Sequence, residues 1–529
     1  AEGVGAIVGY SYGSMGTIEN CKVEGSSITG KSFVGGITGY TLSAMTDCTN
    51  EGDIHYKANR ATSASGTLHL GGVVGYAQAE GSKACNTTLT RVTNNGKISI
   101  EGGNGACEVW AGGINGYLYG KSTQTGLVNN GDLTLNMDNT CTGHFKVGGV
   151  SGGIRNAVSD SENNGKISIL GNTGKTIYLG GIVANANGYA RTNLTNNGDI
   201  YIDANIKYDC FIGGITYDAA NGNPIRFTNC HNTGDITVSD KTYVKMGLAI
   251  GGLVAKYATA NEKKIFIGCS NSGDIYCGAK TENAAHLGGF MGYASAGIVI
   301  IQDGFVNSGN ITHAGSTNGA DAINVGGLFG YTTGAPLTYD TTTTTGEGDE
   351  AVTTTTTTSW TGNVINKGTI TGAGKSGGGK CRFGGIVGLC QQSLVGTAKY
   401  INVGDIVFTG TAGIKNDVPG TAYLGGLVGV LENASVDNGE VHCSLQIGES
   451  KNYGFTIGVP RTDVVKATNC KVGGSILGEY DTEDEEYKTT NLDASNFHNY
   501  IYGSGEATDW GSTSNYDGCT YLSSKPAIQ

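Results

Sequence analysis

Apolar residues in this chain come in short runs, alternate with polar ones at every second position, and are interrupted by glycine every few residues. Thr93–Ile100, Thr-Asn-Asn-Gly-Lys-Ile-Ser-Ile, is representative, and Thr195–Ile202, Thr-Asn-Asn-Gly-Asp-Ile-Tyr-Ile, repeats it with Asp199 in place of Lys97. Period-two alternation between glycine breaks predicts short β-strands. No stretch carries the 3.6-residue apolar stripe of an amphipathic helix, so the pattern predicts an all-β chain.

The pattern recurs throughout. An apolar-Gly-Gly-apolar phrase appears as VGGITGY at Val34, LGGVVGY at Leu70, AGGINGY at Ala111 and onward to LGGLVGV at Leu424, with degenerate versions at Val4 and Tyr453. Between these phrases lies Asn-x-Gly-x-apolar. Its asparagines are Asn50, Asn94, Asn129, Asn163, Asn196, Asn232, Asn271, Asn307, Asn366 and Asn402, each followed four residues later by Ile or Leu. Ten consecutive matches make the chain a repeat protein.

One unit is too short to bury its own few aliphatic side chains. Stacked on copies of itself it buries them in columns, each side chain meeting its own kind in the next rung. The expected fold is therefore a single parallel β-solenoid, right-handed, of about thirteen rungs. At ~4.8 Å per rung it is roughly 60 Å long. The Gly-Gly pairs suit either a left-handed turn or a close backbone approach, and an asparagine column at a bend suits side-chain amides bridged along the stack while tolerating left-handed backbone. Residues 1–478 are assigned to the solenoid, with a Thr-rich insertion at 333–361 that leans toward a β-hairpin because its residues are β-branched. Residues 479–529 lose the repeat and are expected to cap the last rung, an otherwise open sheet edge, or to dock on a partner.

The residue after the repeat glycine runs Asp53, Lys97, Asp132, Lys166, Asp199, then Asp235 and Asp274. Pointing outward on neighbouring rungs, the first five would form a ladder of alternating sign, favourable by a few tenths to about 1 kcal/mol per pair. Among the 14 cysteines, Cys48, Cys230 and Cys269 stand where other rungs carry Val92 or Leu127, as small inward hydrophobes. Cys21 and Cys470 precede degenerate versions of the same phrase. Cys443 and Cys519, in less regular sequence, are the better disulfide candidates.

Composition narrows the function. The chain has 91 Gly but 5 Pro and a net charge of −12, which argues against collagen and against a Pro-rich linker. No basic block exists, so a nucleic-acid partner is not expected. No apolar run reaches the ~20 residues of a spanning helix. The first residues already sit inside a repeat, so the chain reads as a mature or truncated form.

The phrases GGLVAKY, GGLFGY and GGLVGV, followed by NCHNTGDI or GCSNSGDI, resemble the GLUG-repeat proteins over roughly residues 1–478. That resemblance implies a parallel β-solenoid on the surface of Bacteroidota and some Gram-positive bacteria, in adhesins or stalks, attached to the outer membrane in the former. It implies no reaction. The expected function is accordingly a non-enzymatic, extracellular adhesin, stalk or assembly subunit. Its partners would be other surface proteins, glycans or copies of itself. Two alternatives remain open: an accessory lipoprotein capturing glycan or peptide beside an outer-membrane transporter, and a carbohydrate-active β-helix enzyme.

Candidate site residues follow from the columns. Asp199, Asp235 and Asp274 on consecutive rungs, and Asp484 and Glu485 in the acidic run DTEDEE, offer the oxygen ligands that Ca2+ takes, against the simpler reading of a solvated column and a solvated loop. No other cofactor is expected. Tyr40, Tyr76 and Tyr117 share one repeat position, as do Tyr293 and Tyr331. Exposed, they would make a platform for sugar rings or a partner; wedged at a rung corner, they would be structural. Trp110, Trp360 and Trp510 are read as lying in loops or the tail, Trp510 being the further binding candidate. No His-Glu-x-x-His helix and no nucleophile elbow is present.

Overall fold

The computed structural model describes the chain except for residues 1–2, 12–15, 26, 31, 58–66, 79–84, 86, 103–107, 121–122, 139–141, 186–188, 219–224, 259–261, 296, 318–322, 334–337, 346–351, 377–378, 392–393, 395–397, 413, 416–417, 420, 449–451, 462–464, 482–485, 504–516, 527 and 529. It is a parallel β-solenoid. Each rung threads three sheets in turn. The strand Phe33–Gly35 lies in the first sheet, Thr38–Thr41 in the second, and Ala44–Asn50 with Asp53–Lys57 in the third; the next rung restarts at Thr67–Gly71. The first and second sheets each contain 13 strands, from Gly3–Val4 to Asn452–Gly454 and from Val8–Ser11 to Ile457–Pro460. Among the described residues no helix is long and apolar enough to cross a membrane.

Register explains the columns. Ile54 pairs with Ile98, Ile98 with Leu133, and so on to Ile370 with Ile406. The apolar residue before each Gly-Gly does the same from Val34 to Leu424. Both columns point inward and are fully or almost fully buried, so the solenoid holds one continuous apolar core. Cys48 sits beside Val92 and Cys230 beside Leu194, buried in that core.

Inside the core runs a chain of amides. Asn50 Nδ2 donates to Asn94 Oδ1 at 2.8 Å, Asn94 to Asn129 at 2.9 Å, and each following asparagine to the next through Asn366 to Asn402 at 2.8 Å. The same Nδ2 groups donate to the carbonyl two residues on, as Asn163 does to Gly165 at 2.9 Å. All ten side chains are buried. Buried amides of this kind are tolerable only because each link satisfies its neighbour. Valine closes both ends: Val23 precedes Asn50 and Val441 follows Asn402.

The paired glycines answer to close approach rather than to turn geometry. A Cβ on Gly149 would lie 2.1 Å from Gly181 O and 2.3 Å from Asn163 Cγ. The left-handed backbone falls elsewhere, three residues before the repeat Asn, at Asp47 (φ 53°), Arg91 (φ 49°), Asp160 (φ 50°) and Asn193 (φ 52°). The expectation that the asparagine column itself tolerates the left-handed region is thereby corrected: the bend and the ladder use different residues.

The Thr-rich insertion forms an antiparallel hairpin, Thr338–Thr345 against Val352–Ser359. Trp360 at its foot is buried and donates Nε1–H to Val299 O at 2.8 Å, so it is a core residue rather than a loop aromatic. Trp110 also differs from expectation, lying in the strand Glu108–Gly112. Cys443 and Cys519 are free thiols, Cys443 fully inside the core.

At the C-terminal end the chain pairs with the last rung, as the open edge demands. Lys471–Asp481 runs parallel to Gly439–Gln446 and then pairs antiparallel with Glu486–Asn491. Ile501 O accepts from the Thr456 and Ile457 amides, and Thr520–Tyr521 pairs with Lys471 and Val472. The phrase Gly518-Cys519-Thr520 repeats the Gly-Cys pair and the left-handed φ of Gly268-Cys269-Ser270 (69° and 60°). This fragment of a further rung lies inside the segment assigned to the cap.

Candidate functional site

The first and second sheets fold toward each other on the outside of the solenoid. Gly35 makes this possible, because a Cβ there would meet Thr38 O at 2.2 Å and Gly75 N at 2.7 Å. Two outward columns therefore face one another across a seam. The first sheet supplies Phe33, His69, Trp110, Lys146, Tyr178, Phe211, Ala249, His286, Asn324 and Arg382 in register. The second supplies Tyr10, Tyr40, Tyr76, Tyr117, Gly153, Asn185, Asp218, Lys256, Tyr293, Tyr331 and Leu389.

Toward the N-terminus the seam is filled. Tyr10 and Tyr40 stack at 4.3 Å, Tyr76 and Tyr117 at 5.7 Å, and Phe33 lies 4.9 Å from Tyr76. Tyr40 and Tyr117 are 6% and 7% exposed. Burial raises the Tyr76 phenol to about 12 and lowers His69 to about 3. The ring faces are spent on one another, so Tyr40, Tyr76 and Tyr117 present edges rather than a stacking platform.

Farther along the seam opens. Tyr293 and Tyr331 stack at 5.2 Å and are half-buried, with Lys256 Nζ 5.7 Å from the Tyr293 ring. They border a cleft of about 460 Å³ lined also by His286, Asn324, Arg382, Gln391, Glu432 and Arg461. Arg382 Nη1 donates to Asn324 Oδ1 at 2.9 Å, and Asn324 Nδ2 contacts His286 Nδ1 at 3.0 Å. Desolvation, with Arg382 and Lys256 adding, lowers His286 to about 3; the ring is neutral and its Nδ1 accepts.

The acidic candidates fall elsewhere. Asp199 Oδ1 accepts the Asp235 amide at 3.0 Å, Asp235 Oδ1 the Asp274 amide at 2.8 Å, and Asp274 Oδ1 the Asn310 amide at 2.7 Å. These three form a ladder on backbone donors, not a cage, and among the described residues no group of three or more His, Cys, Asp or Glu side chains could hold a metal ion. The same hydrogen bond joins Asp53 to Lys97 N and Asp132 to Lys166 N. The sequence pattern therefore carried a backbone contact in addition to charge; no ion pair within 4.0 Å links these lysines to the aspartates among the described residues. Asp484, Glu485 and Trp510 lie outside the described residues.

One constellation has the look of a catalytic triad. His55 Nδ1 is 2.6 Å from Ser99 Oγ, and His55 Nε2 is 3.8 Å from Glu101. All lie on the open outer face, His55 42% and Glu101 50% exposed. The same His–Ser contact recurs between His231 and Ser270 at 2.8 Å, again between neighbouring rungs. Recurrence across rungs marks it as rung-to-rung pairing.

A family described as the GLUG motif matches residues 1–29. No curated protein and no solved structure matches the chain. What fold and motif together define is a β-solenoid repeat protein carrying a GLUG motif.

Proposed function

We propose that this chain is a non-enzymatic protein of the bacterial cell surface: a stiff rod acting as adhesin, stalk or subunit of an extracellular assembly. The observation that carries this reading is the unbroken amide ladder from Asn50 to Asn402, running through one continuous core. A rod cross-linked by ten successive asparagines resists bending and holds whatever its ends or loops carry at a fixed distance. The GLUG motif at residues 1–29 supports the surface assignment, and the recurrence of GLUG-like phrases along the chain extends it toward the Bacteroidota-type repeat proteins. Attachment to an outer membrane belongs to the same reading.

The test is negative-stain electron microscopy of the protein as isolated from the cell surface. Fibres or arrays with a repeat near the solenoid length, roughly 60 Å at ~4.8 Å per rung, are expected for an assembly subunit. Single rods would remove the assembly form and leave stalk or adhesin. A globular or flexible particle would end the rod reading altogether.

A second reading is capture of a ligand beside a membrane complex. It is favoured by one observation, the cleft around Arg382.

A further inference from the structure

Among the described residues Arg382 and Arg191 are buried arginines with unsatisfied guanidinium nitrogens; Arg191 Nη1 donates to three backbone carbonyls, whereas Arg382 borders the cleft. Arg382 is 8% exposed, and its Nε has no hydrogen-bond partner. Among the described residues no carboxylate lies within 4.0 Å of it, whereas Arg461, in the same cleft, is paired with Glu432. A buried guanidinium hydrogen left unsatisfied carries its full desolvation penalty.

The surroundings hold the group ready rather than neutralise it. Neutral His286 fixes the Asn324 amide, and Asn324 Oδ1 then fixes Nη1. Nη1 is thus held by two hydrogen bonds in series, while Arg382 lines the cleft and its Nε is sealed from solvent. Burial, with Arg461 adding, lowers Arg382 only to about 10, so it stays cationic at neutral pH.

We propose that this cleft binds a carboxylated sugar unit, its carboxylate on Arg382 and its hydroxyls on the tyrosine edges, Gln391 and Glu432. A carboxylate accepts a charge-assisted hydrogen bond from a guanidinium. One unneutralised arginine fits a monoanion; a phosphate dianion would meet the Glu432 carboxylate in the same cleft. The remaining lining is rich in donors and acceptors and poor in free ring faces, which suits a polyhydroxylated ligand better than an apolar peptide side chain. The site adds a ligand to the rod and does not depend on the rod reading.

Isothermal titration calorimetry on the full chain at low ionic strength tests this, with trigalacturonate, the neutral galactotriose and tetraglutamate as probes. Trigalacturonate is expected to bind saturably and galactotriose at least about tenfold more weakly, the factor a charge-assisted hydrogen bond of about 1.5–3 kcal/mol supplies. Arg382→Gln should lose at least the same factor. Should that variant fail to fold, Asn324→Asp supplies an internal carboxylate beside the guanidinium and should block the same probe. No saturable binding of trigalacturonate, equal binding by the folded variant, or equal or tighter binding of tetraglutamate overturns the proposal. The rod seen by microscopy is untouched by any of these outcomes.

Discussion

The indole of Trp110 lies where the side chain of Gly153 would be. A Cβ on that glycine would fall 2.1 Å from Trp110 Cζ3 and 2.9 Å from the Tyr117 ring. Tyr117 and Gly153 are partners in the second sheet, and the tyrosine column breaks at this rung. The break is a packing exchange: one large ring from the first sheet replaces the tyrosine the second sheet omits, with Lys146 Nζ 3.8 Å above the indole.

Gly153→Ala should therefore destabilise the protein by about 1–3 kcal/mol, the range for overpacking, and Gly153→Tyr by more. In a Trp110→Ala background Gly153→Tyr should instead restore stability, because the seam is refilled from the other side. Thermal unfolding of the four variants checks this. Additive losses in the double variant would show that the two positions do not share one space.

The amide ladder gives a position-dependent prediction. Asn196→Ala removes the acceptor for Asn163 Nδ2 and the donors to Asn232 Oδ1 and Gly198 O, three buried groups at once. At about 1 kcal/mol or more for each, the loss should be on the order of 3 kcal/mol. Asn402→Ala, at the end beside Val441, has no following asparagine to strand and should cost less. Urea unfolding with hydrogen exchange of the flanking rungs reads the difference; equal losses at both positions would mean the links act independently of their place in the ladder.

Acid should weaken the fold through its buried imidazoles. Desolvation lowers His69 to about 3 and His313 to about 4. His313 is fully buried, and neither of its nitrogens has a partner. Both rings are held neutral when folded and titrate near 6.5 when unfolded. Their contribution is complete above pH ~6.5 and is lost as pH falls toward 4, because only the unfolded chain takes up the protons. His313→Leu should flatten the stability–pH curve between about pH 6 and 4, relative to the parent. An unchanged slope in urea titrations across that window would refute the assignment.

How much of this was legible beforehand differs from column to column. The asparagine, isoleucine and Gly-Gly columns were plain in the chain, because in-register stacking makes every rung solve the same problem with the same residue. The left-handed position was not, because several residue types serve there: Asp47, Arg91, Gly126, Asp160 and Asn193 share the backbone and not the side chain. What signal existed was the pairing of Asn, Asp or Gly with a following Cys, as in Asn20-Cys21 and Asp47-Cys48. Followed to Gly518-Cys519, it would have exposed the last fragment of a rung.

The cleft is the other case. Phe33 and Tyr40 are seven residues apart and alternate outward on separate strands, so period alone places them on two outer faces. They meet because glycines on both strands let the two sheets close on each other outside the core. Which rungs then fill the seam with rings and which leave it open around Arg382 depends on side chains from three neighbouring rungs at once. Sequence alone thus determined the rung, its columns and their parallel stacking, all of which repeat locally. The angle between sheets, and the cleft it leaves beside Arg382, were decided by packing between rungs, which no single repeat contains.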